Sequence, residues 1–299
     1  MCSVWTGLLE QSPVCKLVLT CRDSLVLIAD ANSCKKFHML LHFSPFLDRY
    51  SVRPAAPDLA HLQQIARAFS HLPYENVTKI LKDARSSNVE AKLRLADEVL
   101  EDHLRWSTGG TCFSLCNALQ CVLHQAGFAS FIAMADMHSG ANIHCAVVVR
   151  LQNTEYLLDP GYLLHDPISL PEHGHQVMRQ TQMNTVFLRS EEAGVLSLYT
   201  HENGQLKWRY RLRAWPVPHA EFLQHWIRSF SLNTMEHILL SRVTESGRLY
   251  FRKDRLEQVQ PAARIKKKIP GSEVRDLWEL FGVPSDLILQ AQKALLSRL

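Results

Sequence analysis

The spacing of apolar residues changes along this chain, and the change divides it into regions. From residue 47 to about 128 they recur every three or four positions, the period of a helix with one buried face. Leu59, Leu62, Ile65, Ala66 and Phe69 form one such stripe behind Pro57-Asp58, a helix-start pair, and Pro73 stops it. A second stripe, from about residue 89 to Trp106, carries Leu93, Leu95, Ala96, Val99, Leu100 and Leu104. A third begins at Cys112, continues through Leu115, Leu119, Val122 and Leu123, and ends at Gly127.

The pattern then shortens to strand-length runs at 129–137, 143–151, 155–159, 185–189, 195–201 and 205–213. The last two flank Asn203-Gly204, residues that tolerate the positive φ angles of a tight hairpin. Consecutive strands with no helix between them predict an antiparallel sheet or barrel rather than a parallel, doubly wound one. A mixed region closes the chain: a helix around 220–230, strands at 236–243 and 248–251, a basic run Arg264-Ile265-Lys266-Lys267-Lys268, and helices at about 273–281 and 285–296. Trp208, Trp215, Trp226 and Trp278 read as core anchors, and the basic run as a solvated face. Residues 1–46 show no clear period and receive no role.

With 299 residues, 46% hydrophobic and 21% charged, the chain can build a sizeable core and does not read as disordered. A formal net charge of +4 does not call for nucleic acid, although a mildly basic surface suits an anionic ligand. The apolar stretch 17–29 is broken by Arg22 and Asp23, so no membrane span is expected. Eight cysteines, at 2, 15, 21, 34, 112, 116, 121 and 145, include no CxxC pair and no zinc-type Cys/His spacing. No metal site is expected, and reduced thiols in the cytoplasm are the better reading.

Three residues carry the chemistry. Cys112 follows Thr108-Gly109-Gly110-Thr111 and opens the third helical stripe, where N-terminal amides stabilise a thiolate and suit a tetrahedral oxyanion. His144 interrupts the apolar run Ile143-His144-Cys145-Ala146-Val147-Val148-Val149. Asp159 ends the next strand ahead of Pro160-Gly161, 15 residues on, a separation that fits a hairpin setting the two side by side. Taken singly they have plainer explanations: a buried inert thiol, a structural histidine, a turn aspartate. Together they form a nucleophile, a base and an orienting carboxylate. His138, His165, His173 and His175 occupy turn-like or polar segments that do not fix a ring. Cys145 is expected on the strand face opposite His144, away from the site.

These residues resemble the arylamine N-acetyltransferase family, whose nucleophile motif is Arg-Gly-Gly-x-Cys, followed by a strand histidine and a strand-end aspartate with a glycine-aromatic turn. Here the matching residues are Gly109-Gly110-Thr111-Cys112, His144 and Asp159-Pro160-Gly161-Tyr162. Leu72-Pro73-Tyr74-Glu75-Asn76-Val77, Leu47-Asp48-Arg49-Tyr50 and Leu280-Phe281-Gly282-Val283 resemble further family segments in the right order, from residue 47 to the end. The resemblance implies an α+β fold in three parts: a helical bundle (47–128) bearing the cysteine, a central antiparallel β-barrel (129–218) bearing histidine and aspartate, and a C-terminal α/β lid (219–299). It implies ping-pong transfer of an acetyl group from acetyl-CoA, through a Cys112 thioester, to a small aromatic amine, hydrazine or hydroxylamine. It implies no metal, nucleic acid or membrane partner.

The chain departs from the family at Thr108, where an arginine is expected, at Ser114, where a glutamate is common, and at Asn117, one place later than usual. The missing arginine would pair with the glutamate matching Glu75, and Arg105, three residues earlier, is the expected substitute. Other activities remain open to the same three residues: a transglutaminase-like or protease-like hydrolase, an amide synthase, or a silent binding module keeping the fold.

Overall fold

The computed structural model describes residues 43–297, apart from 182, 203, 261–262 and 271–272. Most of the unassigned N-terminal segment, with Cys2, Cys15, Cys21 and Cys34, lies outside them. After a short helix, α1 (Ser44–Arg49), α2 (Leu59–Phe69) starts at Asp58, whose carboxylate accepts the His61 amide at 2.7 Å. It buries Leu62, Ile65, Ala66 and Phe69 of the predicted stripe, while Leu59, at the helix start, is exposed. A two-residue strand, β1 (Tyr74–Glu75), leads into α3 (Val77–Arg85), which buries Val77, Ile80 and Leu81. The second stripe is helical only from Ala96: Glu90–Lys92 is a single 3₁₀ turn, and α4 (Ala96–Trp106) follows. Between them Leu95 is extended and half exposed, while Arg94 is buried. The third stripe is α5 (Cys112–Gln125), whose large buried face packs on the sheet beyond it.

Eight antiparallel strands make a nearly closed, barrel-like sheet. They are β2 (Ala129–Met137), β3 (Gly140–Leu151), β4 (Thr154–Asp159), β5 (Leu164–Ser169), β6 (Gln176–Gln180), β7 (Thr185–Glu192), β8 (Val195–Glu202) and β9 (Gln205–Arg213). Their lateral order is β5-β4-β3-β2-β9-β8-β7-β6. Phe131, Ala133, Ala135, Ala146, Val148, Leu188, Leu198 and Tyr210 are among the side chains filling the interior. Six of these strands match the apolar runs. Strand β6 carries mostly exposed side chains and gave no apolar signal.

Beyond the barrel, α6 (His219–Arg228) precedes β10 (Leu239–Thr244), β11 (Gly247–Arg252), β12 (Arg255–Gln260) and β13 (Ala263–Lys268). The basic run is therefore an edge strand, exposed along its length, instead of a loop. Strand β1 completes this sheet by pairing with β10, Tyr74 opposite Ser241 and Glu75 opposite Leu240. The backbone partners of the Gly109-Gly110 loop are thus bound into the C-terminal sheet. Helices α7 (Val274–Trp278) and α8 (Ser285–Leu296) enclose a core of Ile80, Leu240, Phe251, Trp278, Phe281 and Ile288. Trp226 and Trp278 are the anchors expected, whereas Trp215 is 47% exposed and Trp208 only half-buried, edge-on to His138. Residues Phe46–Leu299 form one compact unit. Among the described residues no helix is long and apolar enough to cross a membrane.

Candidate active site

The backbone fixes Cys112 before any side chain does. Its loop is tied to the C-terminal sheet by β1: the Gly110 amide donates to the Pro73 carbonyl (3.3 Å), and the Glu75 amide to the Gly110 carbonyl (3.0 Å). A Cβ on Gly109 would lie 1.9 Å from that Pro73 oxygen, so the paired glycines are demanded by close packing. Thr111 is extended, and Cys112 is the first residue of α5. The Thr111 side chain makes no capping bond, and Cys112 sits at the positive end of the helix dipole.

His144, on β3, projects into the barrel interior beside Tyr210, ring centres 5.0 Å apart. Strands β3 and β4 pair with Val147 opposite Leu158, which sets Asp159 diagonally from His144 on the same face. The His144 Nε2 and Asp159 Oδ2 stand 2.8 Å apart, both residues buried. The other Asp159 oxygen accepts the Tyr162 amide at 2.8 Å, so the turn after β4 orients the carboxylate. With Nε2 engaged, Nδ1 remains on the Cys112 side of the ring, and His144 lowers the Cys112 thiol while the sulfur raises His144. The turn after β4 packs against both residues: a Cβ on Gly161 would fall 2.6 Å from the Cys112 Cβ and 3.1 Å from the His144 ring. The structure brings the three sequence-expected residues together, while His138, His173 and His175 are exposed.

The protonation pattern follows from these contacts. A hydrogen bond from the Cys145 thiol is the largest influence on Cys112; it and His144 outweigh burial and hold the Cys112 thiol well below its usual range. Burial opposes charge on His144, but the Asp159 charge and hydrogen bond, with the Cys112 sulfur, raise it well above the usual imidazole value. The two shifts run in the directions that favour a thiolate on Cys112 and an imidazolium on His144. Cys145 shifts the opposite way, raised first by burial and then by donating to Cys112.

Cys145 is expected to point away from the site, yet its thiol is a main influence on Cys112. Alternation does put it on the face opposite His144, but α5 packs against that face, and the helix start lies where both are reached. The Cys116 thiol adds a bond to the Cys145 carbonyl at 3.2 Å. Among the described residues Cys112, Cys116, Cys121 and Cys145 are free, and no group of three His, Cys, Asp or Glu could hold a metal ion.

A second correction concerns the partner of Glu75. Arg105 is exposed, its guanidinium over the Trp106 ring at 4.5 Å. Arg94 takes the place instead, only 3% exposed, entering from the extended segment ahead of α4. Its Nη1 lies 3.9 Å from Glu75 and donates to the Thr78 hydroxyl (2.6 Å) and the Gly109 carbonyl (2.7 Å). Its Nη2 donates to Asp102 at 2.8 Å. Glu75 in turn accepts the Thr78 amide and hydroxyl. Thr108, at the motif's arginine position, is buried, and its carbonyl is held by His103 Nδ1 at 2.8 Å. Burial lowers His103 to about 4, so the ring is neutral and takes the Tyr50 hydroxyl on Nε2. The signal in the sequence was an arginine inside the apolar triplet Leu93-Arg94-Leu95.

A family model described as N-acetyltransferase matches residues 58–283, about three quarters of the chain. The chain belongs to the arylamine N-acetyltransferase family. Solved structures of similar fold include the arylamine N-acetyltransferases of Mycobacterium abscessus (TM-score 0.71, 18% identity, covering 85% of this chain and 95% of that one) and Salmonella typhimurium (0.70, 16%, 85% and 98%). Another is the Bacillus cereus arylamine N-acetyltransferase (0.63, 17%, 81% and 98%), described as having a Cys-His-Glu catalytic triad. No curated protein sequence matches the chain. As an arylamine N-acetyltransferase-family chain it is an enzyme, and its fold keeps the helix–barrel–sheet arrangement while its glycine loop is braced by Arg94 in place of an arginine before the glycines.

Proposed function

We propose that this enzyme transfers an acetyl group from acetyl-CoA to the nitrogen of a small aromatic amine, hydrazine or hydroxylamine, by a ping-pong route. Cys112 is the nucleophile, His144 the base and acid, and Asp159 the group that fixes the ring. The observation that carries the reading is the buried 2.8 Å contact of His144 with Asp159 beside a cysteine at a helix start.

The Cys112 thiolate attacks the thioester carbonyl of acetyl-CoA, and its oxygen becomes an oxyanion within reach of the α5 amides. The intermediate collapses as the CoA sulfur departs with the proton from His144, leaving an acetyl thioester on Cys112 and a neutral imidazole. The amine then attacks that thioester, giving its proton to His144, and expulsion of the Cys112 thiolate restores the starting pair. Cys112 and His144 are 6% and 4% exposed, a burial that favours an amine over bulk water at the second step. The chemistry needs a reduced thiol, which favours the cytoplasm as its place of action.

The test is an intact mass taken after mixing with acetyl-CoA. A gain of one acetyl group, absent in Cys112→Ser and discharged by an added arylamine, is expected. An acetyl adduct retained in Cys112→Ser, or discharge to water as fast as to amine, would overturn it.

A further inference from the structure

We propose that a small cavity between the barrel and the C-terminal sheet receives an anionic end group, carboxylate or phosphate, of one of the two substrates. The inference rests on the transferase reading above. The cavity measures about 180 Å³ and is walled by Arg209 of β9, Arg248 of β11, Arg264 of β13, Asn184 and Tyr162. It is too small for a whole ligand, since such pockets run to about 300 Å³ or more. It is large enough for one charged group and a few waters, at about 30 Å³ of liquid volume each.

Three guanidinium groups converge there from three strands in two different sheets. The acidic neighbour is Glu257, which pairs with the Arg264 Nε and lies 3.8 Å from Lys266. Arg209 gives its Nε to the Thr200 hydroxyl at 2.7 Å. The Arg248 Nε is buried with no protein partner, and so is the Asn184 Oδ1. Burial presses on Arg248, lowering its pKa, while the nearby Tyr162 and Glu257 oppose that shift and Arg264 adds to it. A buried donor left unmade is costly, and a bidentate carboxylate or phosphate is the group that a guanidinium fork fits.

The cavity also stands next to the chemistry. Tyr162, part of its wall, gives its amide to Asp159, and its ring meets Tyr210 at 5.8 Å, which in turn lies against His144. Gly161, one residue earlier, packs against the Cys112 Cβ and the His144 ring. A substrate whose reactive end lies at Cys112 therefore has a basic pocket one side chain away.

The acceptor and the donor could each bring the anion, and two pairs of probes separate them. The first compares 4-aminobenzoate with uncharged 4-aminobenzamide as acceptors. The second compares acetyl-CoA with acetyl-pantetheine, which lacks the phosphates, in single-turnover acylation of Cys112. Arg248→Gln is expected to lower the kcat/KM ratio of acid to amide, or the ratio of acylation rates of CoA to pantetheine thioester, by about tenfold or more, the scale of a charged hydrogen bond. The ratio that falls names the source. Arg248→Lys, which keeps the charge but not the fork, should fall between.

Direct binding of benzoate and of CoA, by calorimetry at low and high salt, reads the pocket without turnover. Wild type should bind at least one of them, more weakly at high salt, and Arg248→Gln should lose most of that binding. This result would support the pocket even if the transferase reading failed. Neither ratio moving, with both probes bound equally by wild type and Arg248→Gln or by neither, would overturn the proposal.

Discussion

The guanidinium of Arg94 and the carbonyl of Gly109 stand 2.7 Å apart, three residues ahead of Cys112 and inside the protein. This bond joins the glycine loop to the buried Glu75 and the partly exposed Asp102, with the Thr78 hydroxyl between. A charge buried among partners contributes little net stability, but removing it strands the others.

Arg94→Met should therefore cost about 3–5 kcal/mol of unfolding free energy, the penalty for leaving the buried Glu75 unpaired. Urea denaturation checks this, and iodoacetamide labelling of Cys112 should slow in the folded variant because the glycine loop loses its anchor. Arg105→Ala should stay within about 0.5 kcal/mol of wild type, as an exposed surface substitution does.

The pKa shifts set a pH window for the thiolate–imidazolium pair. Cys112 is depressed, so its stabilising contribution and its nucleophilicity are lost only as pH falls through its low folded value. His144 is raised, so its contribution is complete below about 6.5 and is lost as pH rises through its folded value. Cys112 alkylation should hold a plateau across neutral and mildly acidic pH, where an ordinary thiol of pKa about 8.5 is mostly protonated. In Asp159→Asn the support for the imidazolium is gone, and the acid limb should move to higher pH. A stopped-flow alkylation profile from pH 4 to 10 reads both.

Cys145 tunes that limb from the other strand face. Cys145→Ala removes the largest influence lowering Cys112, so labelling at pH 6 should drop several-fold. Cys145→Ser retains a donor and should keep more of the reactivity. Equal pH profiles for all three proteins would show that the contact does not matter.

Gly161→Ala tests the turn beside Cys112. The added methyl would sit 2.6 Å from the Cys112 Cβ and 3.1 Å from the His144 ring, and neither atom is the far end of a flexible chain. Acyl-enzyme formation should fall at least a hundredfold, as expected when a reactive group is displaced by about an ångström. Circular dichroism should remain that of a folded protein.

Local pattern and tertiary arrangement divided the work unevenly. Helices α2, α5 and α8 and six barrel strands were legible because each has a buried face repeating at its own period. Cys112, His144 and Asp159 were legible because each breaks such a pattern or closes it: a cysteine after paired glycines, a histidine in an apolar strand, an aspartate at a strand end. Helix α3 does carry a short apolar stripe, Val77, Ile80 and Leu81, but its other buried residues, Thr78 and Lys79, are polar and mask it. Strand β6 gave no signal because both of its faces meet solvent.

What the chain by itself determined is therefore the elements, their order and the three residue types the reaction would need. The tertiary structure decided which groups stand around them. Arg94 replaces the motif arginine because an extended segment 14 residues upstream of Thr108 reaches the same buried space. Cys145 influences Cys112 where α5 packs on β3, and β1, which holds the glycine loop by backbone bonds, pairs with β10 more than 160 residues beyond it. Periodicity reports which face of an element is buried but not what buries it, so contacts between residues far apart in sequence leave no mark on the local pattern.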